Sequence, residues 1–192
     1  MKVLAVDTSS IVATAAIMED DRLIGEYILN HKKTHSQKLM PIISEILSSA
    51  DLKADDIDVF AVANGPGSFT GLRIGVATIK GLAHAVNRPV VGVCTLNGLA
   101  YNMPFCPYIV CPIMDARREQ VYNAIYRWHD DELIVLQGSR AVSIEQLVQE
   151  LKERNEMVVF LGDGVEAYRD ILSAQLGSLC VFAPTNVRMQ KA

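Results

Sequence analysis

The sequence predicts an α/β protein built from two similar lobes, each a mixed sheet with flanking helices. Three observations predict it. Short apolar runs of strand length alternate with amphipathic stretches of helix length. The order of these elements repeats once along the 192 residues. In each half, a strand that ends on an aspartate is followed at a similar interval by a glycine turn: Gly65 lies 58 residues after Asp7, and Gly162 lies 47 after Asp115.

The first half opens with the buried strand "KVLAV", which ends at Asp7, turns through Thr8 and Ser9 and returns as "IVATAAIM". A third strand, "RLIGEYIL", follows the polar turn "EDD". Leu39, Ile42, Ile43, Ile46, Leu47 and Ala50 recur at helical spacing, so a helix is expected over 36–50, with Pro41 as a kink or early-turn residue. "DVFAVA" reads as a buried strand, the glycine stretch opens a helix running to about Asn87, and "PVVGVC" is another strand. The second half repeats this with "YIVCPIMD", "QVYNAIYRW" and "ELIVLQ". Ser143 and Gln146 form a capping box for a helix over "IEQLVQELKER". "MVVFL", a Gly162-Asp163-Gly164 turn, a helix to about Leu176 and "LCVFA" complete it. The Pro-bearing connector "NMPFCP" sets the expected lobes at 1–103 and 104–192.

Composition narrows the function classes. Half of the residues are hydrophobic and 21% are charged, ordinary values for a globular protein. No apolar run approaches the roughly 20 residues that span a bilayer, and the first residues show no small-residue cleavage site. The four cysteines have no C-x-x-C spacing and read as buried reduced thiols, which suits a cytoplasmic protein. A net charge of -4 exerts no overall pull on nucleic acid, so RNA work would need a basic partner or a local patch.

The stretch "NGPGSFTGLRIG", 64–75, raises the possibility of a phosphate site. It matches no strong phosphate motif: Gly71-Leu72-Arg73 stands where a Walker loop needs Gly-Lys-Ser/Thr, and the dinucleotide spacing is missed by one residue. Ser68 is an N-cap candidate after the Gly65-Pro66-Gly67 turn. The helix behind it is apolar nearly all round. Arg73, Lys80, His84 and Asn87 form one narrow polar stripe; Leu72, Val76, Ile79, Ala83 and Val86 line one side, and Gly71, Gly75, Thr78, Leu82 and Ala85 another. Such a helix must be covered on more than one face. Its glycines therefore read as serving helix packing more than phosphate binding.

The element order resembles the actin-like, sugar-kinase-like (ASKHA) ATPase superfamily. "LAVDTSS", "GPGSFTGLRIG", "PVVGVCTL" and "MDARREQVY" together resemble the TsaB (YeaZ) family, over residues 1 to about 183. Those proteins are the bacterial partner subunits of the machinery that makes threonylcarbamoyl-adenosine in tRNA. The resemblance implies a non-catalytic activator of the transferase TsaD, joined by the ATPase TsaE. Such a subunit forms a homodimer when TsaD is absent, meets tRNA only through the complex, and has no membrane contact. ATP and metal are then expected on TsaD and TsaE, with no cofactor in the isolated chain.

TsaD carries a His-x-x-x-His pair in the helix after its "PVVGV"-like strand; here Thr95 and Leu99 fall at those places, and neither can replace an imidazole ligand. Of the four histidines only His31 and His35 have ligand spacing, and they read as a solvated helix start. The expected partner surface comprises Leu39, Ile42, Ile43, Ile46 and Leu47 of one helix with Leu72, Arg73, Val76, Ile79, Lys80 and Ala83 of the other. Asp7, Thr8, Ser9, Asp115, Arg117 and Arg118 are expected as vestigial cleft residues without a catalytic role, the two arginines filling space that a phosphate would need. Tight hairpins whose aspartates bond their own turns are an equally good reading of both sites. Two other functions compete: an ATP-dependent kinase or ATPase using Asp7 and Asp115, and a glycopeptidase-like hydrolase, for which the order of residues offers no nucleophile–base pair.

Overall fold

A computed structural model describes residues 1–30 and 35–192. The chain divides into two compact units, Met1–Gly98 with Gln190–Ala192, and Leu99–Met189. The division falls at 98/99, not at 103/104, because the residues between are tied to the second unit. Tyr101 packs edge-on against Trp128 at 5.3 Å, and the Asn102 amide donates to the carbonyls of Val187 and Met189.

In the first unit, β1 (Lys2–Asp7), β2 (Val12–Glu19) and β3 (Arg22–Asn30) form an antiparallel meander; β4 (Val59–Gly65) and β5 (Val90–Cys94) extend it in parallel on the other side of β1. The sheet order is β3-β2-β1-β4-β5. Helices α1 (His35–Ser49) and α2 (Phe69–Ala85) pack side by side, α1 on β2 and α2 on β4. Pro41 lies inside α1, seven residues along it, so the bond its N–H would make to the Gln37 carbonyl is missing from the second turn. Leu4, Val6, Ile17, Phe60 and Val62 from the sheet meet Leu39, Ile43, Ile46 and Ile79 from the helices in one core.

The second unit repeats the topology. β6 (Ile109–Arg117), β7 (Gln120–His129) and β8 (Glu132–Ser143) form the meander, and β9 (Val158–Leu161) and β10 (Cys180–Phe182) the parallel side, in the order β10-β9-β6-β7-β8. Each unit is thus a mixed five-stranded sheet with flanking helices, the two-lobed α/β arrangement expected from the sequence. Helices α4 (Ile144–Arg154) and α5 (Gly164–Leu176) close the core around Ile113, Ile125, Leu147, Leu151, Phe160 and Leu172. Ser143 does cap α4, its hydroxyl accepting from the Gln146 N–H at 3.1 Å.

Three elements differ from the sequence expectation. β8 runs to Ser143, beyond the expected strand "ELIVLQ"; the register shift opposite Ala124 absorbs Gly138-Ser139 as a bulge. The short helices α3 (Thr95–Tyr101) and α6 (Thr185–Arg188) carry too few residues to show a period.

Candidate functional site

The turn after β1 is built inward. Asp7, Thr8, Ser9 and Ser10 are all buried, between 0% and 6% exposed. The Asp7 carboxylate accepts from the Ser9 N–H at 2.7 Å, closing an Asx turn. Burial pushes the Asp7 carboxyl above its ordinary range, opposed by the bonds from Ser9 and by nearby His35. His35 does not stand in solvent. It is half-buried, and its Nε2 hydrogen-bonds the Ser10 carbonyl at 2.7 Å, which fixes that nitrogen as the donor. Its expected mate, His31, lies outside the described residues. From the far end of the chain, the buried Gln190 accepts from the Ser10 hydroxyl at 2.8 Å.

The glycine stretch closes over this turn. A Cβ at Gly71 would stand 2.0 Å from the Thr8 carbonyl oxygen, one at Gly67 2.4 Å from that of Ser9, and one at Gly75 2.4 Å from the Thr8 hydroxyl. The Thr8 hydroxyl in turn donates to the Gly71 carbonyl at 2.8 Å, and the Ser68 N–H donates to the Ser9 carbonyl at 2.6 Å. Ser68 caps α2 through its hydroxyl. The close approach that glycine permits is thus an approach to the protein's own backbone. Within the first unit these glycines offer no cradle to a phosphate, since the space beside them is filled by Thr8 and Ser9.

The second turn, between β6 and β7, is built outward. The Asp115 carboxylate accepts from the Arg117 N–H at 2.8 Å and pairs with its guanidinium at 3.2 Å. Arg117, Arg118 and Glu119 are all exposed and all have positive φ, at 68°, 51° and 60°. Asp163, from the Gly162-Asp163-Gly164 turn, is the residue that sequence reasoning passed over. Its carboxyl is pushed up to about 6, chiefly by burial and further by the Asp115 charge, and its Oδ1 has no hydrogen-bond partner among the described residues. The signal was present: this turn occupies the place in the second half that Gly65-Pro66-Gly67 occupies in the first.

The expected partner surface needs correction. Leu39, Ile42, Ile43, Ile46, Ile79 and Ala83 are at most 5% exposed and lie in the core of the first unit, so they cannot anchor a partner. Leu47, Leu72 and Val76 are half-buried, and Leu47 and Val76 pack on the same core. The small-residue face of α2 is covered by Thr8 at Gly71 and Gly75, whereas Ala85 at its far end is exposed. The exposed residues of the pair include Met40 and Ser44 of α1 and Phe69, Arg73, Ala77 and Lys80 of α2. Phe69 is 74% exposed with the Arg73 guanidinium 5.2 Å from its ring centroid. Thr95 and Leu99 are buried, 2% and 1% exposed. Among the described residues no group of three or more His, Cys, Asp or Glu side chains is placed to hold a metal ion, and no helix is long and apolar enough to cross a membrane.

Comparison with known proteins fits this arrangement. The family model for "TsaD: tRNA N6-adenosine threonylcarbamoyltransferase" matches residues 22–191. The tRNA threonylcarbamoyladenosine biosynthesis protein TsaB of Bacillus subtilis (strain 168) is 35% identical over 178 residues, covering 93% of this chain and 78% of that one. The chain belongs to the TsaB family. The TsaB of Escherichia coli (strain K12) is 30% identical over 181 residues, covering 89% of this chain and 75% of its own. Among solved structures, YeaZ from Pseudomonas aeruginosa superposes with a TM-score of 0.76 at 22% identity, covering 98% of this chain and 86% of that one, a likeness of fold. So is that to the ethanolamine utilization protein EutJ of Carboxydothermus hydrogenoformans, TM-score 0.58 at 10% identity.

Proposed function

We propose that this chain is the non-catalytic partner subunit of a TsaD-type transferase in the formation of tRNA threonylcarbamoyladenosine. The observation that carries the reading, beside family membership, is the closed first turn: Gly67, Gly71 and Gly75 are filled by the chain's own Thr8 and Ser9. Buried Thr95 and Leu99, where TsaD's metal histidines are expected, support it further. On this reading ATP and metal chemistry belongs to TsaD and to the ATPase TsaE, tRNA is met only through the assembled complex, and the protein works in the cytoplasm. The first unit docks through the outer surface of α1 and α2, with Phe69, Met40 and Ala77 as the apolar contacts and Arg73 and Lys80 as the charged rim. In the absence of TsaD a second copy occupies the same face. Asp7 and Asp115 hold their own turns and perform no chemistry.

The test is reconstitution with the same organism's TsaD and TsaE, measuring modified adenosine in tRNA as each protein is omitted. Modification should require this chain, survive Asp7→Asn and Asp115→Asn, and fall with loss of TsaD co-purification for Phe69→Ala combined with Ala77→Glu. Full modification without the chain, or ATP turnover by the chain alone that Asp7→Ala abolishes, refutes the reading.

A further inference from the structure

The second unit contains a cavity of about 520 Å³ between α4, α5 and the β6–β7 hairpin. That is within the roughly 300–1,000 Å³ of small-molecule sites. Its apolar lining is Ile144, Val148 and Tyr168, 3%, 5% and 8% exposed, and Ile171, which is 43% exposed. Its walls are fixed to one another. The Ile144 N–H donates to the Glu119 carbonyl at 3.1 Å, the Tyr168 hydroxyl to the Gln120 carbonyl at 3.4 Å, and the Lys152 ammonium to the Gln175 side-chain oxygen at 2.7 Å.

Four charged side chains line the same space: Arg118, Lys152, Glu119 and Glu145. They are not equivalent. Glu145 sits in the first turn of α4, where the helix dipole offsets a negative charge. Lys152 faces a neutral amide, and neither it nor Arg118 has a carboxylate partner among the described residues. Arg118 is moreover the middle of three successive non-glycine residues with left-handed backbone. A groove with an apolar floor of Ile144, Val148, Tyr168 and Ile171, fixed walls and two cations that make no ion pair among the described residues suits a ligand with an apolar body and a negative end.

We propose that this cavity binds a small amphipathic anion, with an aromatic or branched aliphatic body on Val148, Tyr168 and Ile171 and a carboxylate or phosphate drawn by Arg118 and Lys152. The site lies wholly within the second unit and does not depend on the docking of TsaD. The probe is 4-phenylbutyrate, titrated into the ¹⁵N-labelled full chain at low ionic strength, with 4-phenylbutylamine and 4-phenylbutanol as matched cationic and neutral probes. Phenylbutyrate should give saturable shifts confined to amides of 118–120, 144–152 and 168–175. Arg118→Gln and Lys152→Gln, both at surface positions, should each weaken it about tenfold, the loss of one charge-assisted hydrogen bond. Filling the space with Ile171→Trp should abolish the shifts while leaving the remaining spectrum in place. Absence of saturable shifts at these amides, equal or tighter binding of the amine or the alcohol, or unchanged affinity in the Arg118→Gln, Lys152→Gln double variant overturns the proposal.

Discussion

Two glycines on the same helix should respond to alanine in opposite directions. Gly81 lies on the exposed side of α2, and a Cβ there meets nothing within 4 Å. Gly81→Ala therefore brings only the helix-propensity gain, about 0.5–1 kcal/mol for an exposed interior position. Gly71→Ala brings the same intrinsic gain and a collision. Its Cβ would stand 2.0 Å from the Thr8 carbonyl oxygen, where ordinary contact begins at 3.4 Å. The obstacle is backbone on both sides, so no rotamer relieves it and α2 must lift from the turn by more than 1 Å. Lifting also stretches the 2.8 Å bond from the buried Thr8 hydroxyl to the Gly71 carbonyl. Overpacking costs roughly 1–3 kcal/mol or more, and an orphaned buried hydroxyl roughly 1–3, so a net loss of about 2–4 kcal/mol is expected. Urea denaturation followed by far-UV circular dichroism measures both, with the m-value checking that one transition is being compared. A neutral or stabilised Gly71→Ala, or a destabilised Gly81→Ala, refutes the claim that the turn, and no ligand, is what these glycines accommodate.

The same reasoning reaches other residues. The Asp163 carboxyl, raised to about 6 by burial, holds its proton more tightly in the native state than in the unfolded chain. Its stabilisation is thus full below the unfolded value near 3.9 and is lost as pH rises through 6. Asp163→Asn should match the parent protein near pH 4 and exceed it by up to about 3 kcal/mol at pH 7.5, read from urea midpoints at the two pH values. Ile79→Ala, which empties a fully buried position, should cost about 2–5 kcal/mol, whereas Ala77→Glu on the exposed face should change stability by less than about 0.5. Among the thiols, Cys111 is fully buried and pushed up to about 12, so iodoacetamide at pH 8 should label Cys94 in the native protein and reach Cys111 only after unfolding, as peptide mass spectrometry will show.

How much of this was legible in the sequence depends on what each signal encodes. Strand and helix order was legible because burial imposes a period, and the Ser68 and Ser143 caps because a helix start needs a side-chain acceptor. The outward face of the helix pair was not. Periodicity identifies an apolar stripe without saying whether it is turned to the chain's own sheet or to a partner, and Ile43 and Ile79 proved to be core. The exposed Phe69 escaped for the converse reason, since one aromatic residue beside a cap has no period at all. The Gly162-Asp163-Gly164 turn was legible, but the raised proton affinity of Asp163 was not, because it comes from burial and from Asp115, 48 residues away in sequence.

The two hairpin turns show how one topology yields different surfaces. In the second unit the glycine turn also meets β6 backbone: a Cβ at Gly162 would lie 2.2 Å from the Ile113 carbonyl oxygen, and one at Gly164 3.0 Å from the same atom. That contact falls two residues before Asp115, whereas in the first unit Gly71 and Gly67 reach Thr8 and Ser9, one and two residues after Asp7. A helix seated further along its neighbour covers the turn; one seated earlier leaves it bare. The covered turn must then be small and satisfied internally, as Asp7-Thr8-Ser9-Ser10 is, and it needs glycine three times along the stretch that closes over it. The bare turn can carry Arg117, Arg118 and Glu119 into solvent, and its backbone can take up left-handed geometry that a covering helix would exclude. The glycine content of each half therefore records how far its helix reaches over its own hairpin, and in the first half that reach is what removes the phosphate cradle the motif suggests.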